Sequence, residues 1–119
     1  MHWRDLDTWK KSHELVNEVY KLTVDFPKEE MYGLTSQLKR SVVSVPTNIV
    51  EGFSRKTTKE YIQFLFSSRG SLEGVRYLLF LSQYLGFISK GSYSNIEKKC
   101  ESISRMLNAL INRLKDKLK

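Results

Sequence analysis

Gln37-Leu-Lys-Arg-Ser-Val-Val-Ser-Val-Pro-Thr-Asn-Ile-Val-Glu-Gly-Phe-Ser-Arg-Lys56 is the stretch whose reading decides the fold. With Leu34 before it, the residues Leu38, Ser41, Val42, Val45, Ile49 and Phe53 recur at helical steps and form one face. Pro46 interrupts that face. An interior proline removes a backbone hydrogen bond and crowds the preceding turn, at about 3 kcal/mol. The apolar period nevertheless keeps its phase from Val42 to Ile49. The stretch therefore reads as one kinked helix, with two short helices as the alternative. The hydroxyls of Ser41, Ser44 and Thr47 are placed to bond carbonyls that the proline frees. Gly52 reads as the stop signal. Asn48 and Glu51 read as a structural polar pair in a buried hydrogen-bond network, with Glu51 meeting Arg55 at i+4 or an arginine of another helix.

Working outward, Leu6, Trp9, His13, Val16, Val19, Tyr20, Thr23 and Phe26 predict a first helix from about Asp7 to Asp25, with Asp5 or Asp7 as N-cap. Phe26-Pro27 ends it, because the residue before a proline is pushed out of the α region. Pro27 to Gly33 is a connection whose Glu29 and Glu30 suit the positive end of a short entry helix. Beyond Lys56, Thr57-Thr58-Lys59-Glu60 reads as a capping box. A third helix then runs to Leu85, about 28 residues or ~42 Å. Its inner stripe is Tyr61, Phe64, Leu65, Ser68, Ser71, Leu72, Val75, Leu78, Leu79, Ser82 and Leu85. Gly70 and Gly74 lie in its middle at up to about 1 kcal/mol each, for which close approach of another helix is the usual reason. Gly86 stops it.

Phe87 to Ser92 reads as a loop, and Ser94-Asn-Ile-Glu97 as a second capping box. In the last helix Ile96, Cys100, Ile103, Leu107, Leu110 and Leu114 make a heptad seam, which Met106 and Ile111 widen beyond the needs of one neighbour. Every connection is short, which sets successive helices antiparallel. The expected fold is all-α: an up-down-up-down four-helix bundle with long third and fourth helices, in a single domain over residues 1–119.

Composition narrows the function. Cys100 is the only cysteine, so neither an internal disulfide nor a cysteine metal cage is possible, which fits a reducing compartment. The start, Met1 to Asp7, lacks the apolar core of a signal peptide. The greasy run Tyr77 to Leu85 falls far short of the ~20 residues that span a bilayer. A cytoplasmic protein without membrane contact is expected. A bundle di-metal site needs Glu-x-x-His pairs, whereas the histidines are His2 and His13 and Lys10 stands three before His13. No phosphate-cradling glycine loop occurs. His13, on the apolar face, reads as a half-buried core residue, and Cys100 as a small core residue. The expectation is no enzyme, no cofactor and no metal.

Charge is the positive signal. The net +7 is uneven: −2 over Met1 to Tyr32, +4 over Gly33 to Lys59, +1 over Glu60 to Ser104 and +4 over Arg105 to Lys119. Clustered positive charge attracts polyanions and releases their counterions. Lys39 and Arg40 start the second helix, while Arg55, Lys56 and Lys59 follow its end, roughly 20 Å away at 1.5 Å per residue. They form a stripe, not a compact site. Helices two and four run the same way, so Arg113, Lys115, Lys117 and Lys119 should lie near Arg55 and Lys56. That end is the candidate surface for RNA or DNA. The plain alternative is a solvated face with helix-end charges.

Several motifs occur together in order: Leu6-Asp-Thr-Trp9, Phe26-Pro27 with Glu30-Met-Tyr-Gly-Leu34, Gln37-Leu-Lys-Arg-Ser41, Ser44-Val-Pro-Thr-Asn-Ile-Val-Glu-Gly52, and Phe64-Leu65 with Gly70-Ser-Leu-Glu73. Over about residues 3–115 the chain resembles the bacterial four-helix-bundle family known as the 23S rRNA intervening-sequence protein or S23 family. The resemblance implies a helical bundle that assembles into a homo-oligomeric ring, commonly a pentamer. A related branch, the accessory protein of diversity-generating retroelements, looks like a basic pentameric barrel that binds nucleic acid and a reverse transcriptase. By that likeness Arg40, Arg55 and Lys56 become candidate contacts, matched by basic character. A non-enzymatic oligomer that binds RNA or DNA is the leading expectation. A protein scaffold or accessory subunit is the alternative.

Overall fold

Four helices carry most of the chain: α1 (Asp7–Thr23), α2 (Leu34–Phe53), α3 (Thr58–Tyr84) and α4 (Lys90–Asp116). Single 3-10 turns at Trp3–Asp5 and Lys28–Glu30 precede α1 and α2. The computed structural model describes residues 1–119. The chain is all-helical, and each helix packs on two others, α2 on α3, α3 on α4, α1 on α2 and α1 on α4. This is the expected four-helix bundle. The molecule measures 48 × 24 × 20 Å, a length that follows from the 27 residues of α3 and of α4 at 1.5 Å each.

The ends follow local chemistry. Thr57 caps α3 by accepting from the Glu60 amide at 3.1 Å, and its hydroxyl donates to the Glu60 carboxylate at 2.9 Å. Gly86 closes α3 at φ 83°. Its N–H donates to the Gln83 carbonyl, and the Phe87 N–H reaches back to Ser82 at 2.8 Å. That paired bonding needs the left-handed conformation that glycine adopts without strain.

Three expected boundaries shift. Asp5 does not cap α1, because its carboxylate accepts from the His2 amide of the preceding turn at 3.0 Å, and Leu6 takes the cap position. The last helix starts at Lys90, ahead of Ser94, because Ser89 accepts from the Ser92 amide at 3.0 Å. Buried Ile88 anchors the entry to that cap. Gly52 does not stop α2. It is helical and buried inside the last turn, and the helix continues to Phe53.

One apolar cluster fills the interior, and it takes in every residue of the heptad seam together with Ile111. α2 passes unbroken through Pro46, which is itself buried. Three successive carbonyls before the proline each receive a side-chain donor. Thr47 donates to Val43 at 2.7 Å, Asn48 to Ser44 at 2.8 Å, and Ser68 of α3 to Val45 at 2.8 Å. Side-chain donors of this kind let a helix tolerate an interior proline. A hydroxyl contact between Ser44 and Ser71 at 2.9 Å joins α2 to α3 again. At Gly52 a Cβ would stand 2.7 Å from the Phe64 Cβ and 3.2 Å from the Tyr61 carbonyl. The missing side chain is what allows α3 to lie so close.

α1 keeps Val19 and Thr23 of the expected face inside but is rotated so that Thr8, Ser12 and Leu15 join them. Thr8, Ser12, Leu15, Val19 and Thr23 are buried, whereas His13 and Tyr20 are exposed and Trp9 and Val16 half-buried. The small hydroxyls tolerate burial because their own helix satisfies two of them: Ser12 donates to the Thr8 carbonyl at 2.8 Å and Thr23 to Tyr20 at 3.1 Å. His13 is thus a surface residue, not a core one.

Candidate nucleic-acid interface

The turn after α2, the first turn of α3 and the last turns of α4 meet at one end of the bundle. Arg55, Lys56 and Lys59 are exposed on the first two, and Arg113, Lys115 and Lys117 on the third. Lys59 and Lys115 face each other across a cleft of about 400 Å³ lined also by Ile62, Phe66 and Leu118. Aromatic rings set several of the cations. The Arg55 guanidinium lies 4.6 Å from the Phe64 ring centre, and Lys115 Nζ lies 5.2 Å from that of Phe66. Arg69 covers the same Phe66 ring at 4.9 Å and donates to Asn108 Oδ1 at 2.9 Å, tying α3 to α4. Such contacts hold a cation by the ring's negative face without neutralising it.

All ion pairs but one lie elsewhere. The pairs join Lys11 to Glu14, Arg76 to Glu73 and Glu97, Lys99 to Glu18, Arg105 to Glu101, and Lys119 to Asp116. None of Lys39, Arg40, Arg55, Lys56, Lys59, Arg113, Lys115 or Lys117 has a carboxylate partner. The acidic residues around this end are Glu51, Glu60 and Asp116, and the last is held by Lys119 at 3.4 Å. Uncompensated cations on one end sum to a positive potential that reaches beyond contact distance. Tyr61 lies beneath them. Burial pushes its phenol above the ordinary range, and the Arg113 charge pulls back more weakly. Its hydroxyl is buried without a hydrogen-bond partner.

Lys39 and Arg40 stand apart. Lys39 Nζ lies 4.9 Å from the Tyr20 ring centre, and with Arg40 it borders a cleft of about 470 Å³ that includes Tyr20, Met31, Tyr32 and Val43. The eight basic residues thus divide into six at one end and two on the α1–α2 face.

Asn48 bonds the carbonyl and hydroxyl of Ser44, at 2.8 and 3.0 Å. Glu51 does not join it. It is exposed, without hydrogen bond or ion pair, because its position points away from α3 and Arg55 is drawn onto Phe64 instead. Cys100 is fully buried, and burial, with the Glu97 charge adding, pushes its thiol up to about 12. Beside it Arg76 donates to Glu97 through Nε at 2.9 Å and through a terminal nitrogen at 2.5 Å. No group of three or more His, Cys, Asp and Glu side chains is arranged to hold a metal ion. No helix is long and apolar enough to cross a membrane.

Periodicity reading missed a surface row of aromatic rings. His2 and Trp3 lie 4.7 Å apart between centres, Trp3 meets Trp9 edge-on at 4.9 Å, and Trp9 stacks on His13 at 4.9 Å with only 10° between planes. The available signal is the i, i+4 spacing of Trp9 and His13, one step out of phase with Thr8 and Ser12.

Residues 4–109 match the family model of the 23S rRNA-intervening sequence protein. No curated protein matches the chain. Among solved structures, a protein of unknown function from the S23 ribosomal protein family of Bacteroides thetaiotaomicron superposes with a TM-score of 0.79. It is 22% identical, and the match covers 87% of this chain and 97% of that one. At that identity the likeness is one of fold.

Proposed function

The chain belongs to the 23S rRNA-intervening sequence protein family, and from that premise we propose that it is a non-enzymatic helical bundle that binds RNA or DNA electrostatically. The binding surface is the basic end formed by Arg55, Lys56, Lys59, Arg113, Lys115 and Lys117. One observation supports this above the others: all six cations lie at one end of the bundle, and none is neutralised by an ion pair. Lysines and arginines elsewhere on the surface also lack carboxylate partners, Lys10, Lys21 and Lys98 among them, so it is the gathering of six at one end that carries the reading.

The reading predicts a salt-dependent interaction. Six phosphate contacts give a slope of log affinity against log salt of about −4 for a single strand and about −5 for duplex DNA. Electrophoretic mobility shift with RNA and duplex DNA across salt measures it. Arg55→Glu with Lys56→Glu should remove binding and leave the helical content intact. No binding at low salt, or binding with no salt slope, sinks the proposal.

A second reading is a scaffold whose partner is protein, either other copies of this chain or a different one. It is favoured by Tyr77, Phe80, Tyr84 and Leu85, large apolar residues exposed along the end half of α3. Under that reading the same charge reversal leaves partner capture unchanged. Light scattering on the purified chain reports whether the partner is a second copy.

A further inference from the structure

The aromatic row along α1 lies outside the basic end. Both tryptophans and both histidines of the chain belong to it. The contact of Tyr20 with Lys39 fixes the register of α1 against α2. From there α1 runs antiparallel to α2 at about 1.5 Å per residue. Trp9 is therefore level with about Val50, and Trp3 with the turn that carries Arg55 and Lys56. The turn holding Trp3 does pack on α2. The row thus begins beside the basic end and finishes at Lys39 and Arg40.

Past His13 the row opens into a shallow cleft of about 350 Å³. His13 and Tyr20, both exposed, stand at its two ends, and half-buried Val16 and the Asn17 amide lie between them. Glu14 also borders it, with its carboxylate held by Lys11 at 3.5 Å. One face of the His13 ring rests on Trp9. Arg4 lies 5.0 Å from the Trp3 ring centre at the near end. Cations at both ends, rings between them and an amide beside an open cleft match the needs of an unpaired strand: charge for phosphates, π faces for bases, and a donor and acceptor for a base edge.

We propose that the outer face of α1, from Trp3 to Tyr20, is a stacking surface for unpaired nucleobases, so that the ligand is single-stranded rather than duplex nucleic acid. This rests on the nucleic-acid reading above and adds the strand state. From Trp3 to Tyr20 the surface runs about 25 Å, the length of about seven nucleotides at 3.4 Å. Phosphates of the same strand continue onto Arg55 and Lys56 at one end and onto Lys39 and Arg40 at the other.

The two tryptophans are built-in reporters. The test titrates the full chain with a ten-nucleotide single-stranded RNA and with the corresponding duplex, following both tryptophan fluorescence and mobility shift. The expected result is quenching by the single strand and tighter binding of it than of the duplex. Loss of a base stack lowers affinity about fivefold or more, so His13→Ala and Tyr20→Ala should each weaken single-strand binding by that factor and leave duplex binding unchanged. Both residues are exposed, and a circular dichroism melt confirms that the variants fold. Equal binding of both nucleic acids without quenching overturns the stacking surface alone. Failure to bind either at low salt overturns the basic end as well. If the two variants change the light-scattering mass and not the titration, the row is a contact between copies and the proposal is wrong.

Discussion

Gly52 and the pair Gly70 and Gly74 are all helical glycines at or near the contact-rich α3, yet they sit in opposite surroundings. A Cβ at Gly52 would collide with Phe64 and press on Tyr61, while a Cβ at Gly70 or Gly74 would meet nothing within 4 Å. Glycine inside a helix is less favourable than alanine by up to about 1 kcal/mol. At Gly52 the close α2–α3 contact offsets that penalty within this chain. At Gly70 and Gly74 no contact within the chain does. Identical residues therefore mark one face that is packed within the chain and one that is open.

The contrast is easiest to break at its tight side. Gly52→Val forces a branched side chain between α2 and α3 and should destabilise by about 3 kcal/mol, the upper range for overpacking, read as a lower urea midpoint by circular dichroism. Ser68→Ala removes the α3 hydroxyl that bonds the Val45 carbonyl and should lower stability by about 1 kcal/mol. A null result there would mean that helix proximity, rather than the hydroxyl, supports the proline turn. On the open side the sign reverses. Gly74→Ala should raise the stability of the single chain by about 0.5–1 kcal/mol. If a second copy presses onto that face, the same change instead lowers the assembled mass in light scattering.

What could be read from the residues alone depends on whether size and burial agree. In α4 they do: the heptad residues, large but for Cys100, are apolar and all buried, and the helix pattern is unambiguous. In α2 the phase of Val42, Val45 and Ile49 outweighs Pro46, because neighbouring hydroxyls and an amide serve the carbonyls that the proline disturbs. In α1 size and burial disagree. Thr8 and Ser12 go inside, Ser12 with its hydroxyl bonded to the Thr8 carbonyl, while the larger Trp9 is only half-buried at the edge of the core and His13 stays out. A periodicity that weighs large residues most heavily then selects the neighbouring face. Gly52 fails as a stop signal for a related reason. A glycine near a helix end serves backbone conformation or proximity equally well, and only the position of Phe64, twelve residues on, distinguishes the two. The gathering of six cations at one end follows from the antiparallel order of the helices, whereas the aromatic row needs the rotation of α1 about its axis, which charge counts do not contain.

The turn from Ser54 to Thr57 has a kinetic consequence. It joins the two helices that share the glycine contact and the serine bonds, so the densest interface closes around only a few intervening residues. Closing a short loop costs little chain entropy, and interfaces built from such near-neighbour pairs form early and fast. The α2–α3 hairpin is then expected to form first as the chain folds, with α1 and α4 added from either side, which mutational analysis of folding and unfolding rates would check. Ser68→Ala or Gly52→Val should then slow folding, and removing the Glu18–Lys99 link between α1 and α4 should mainly hasten unfolding.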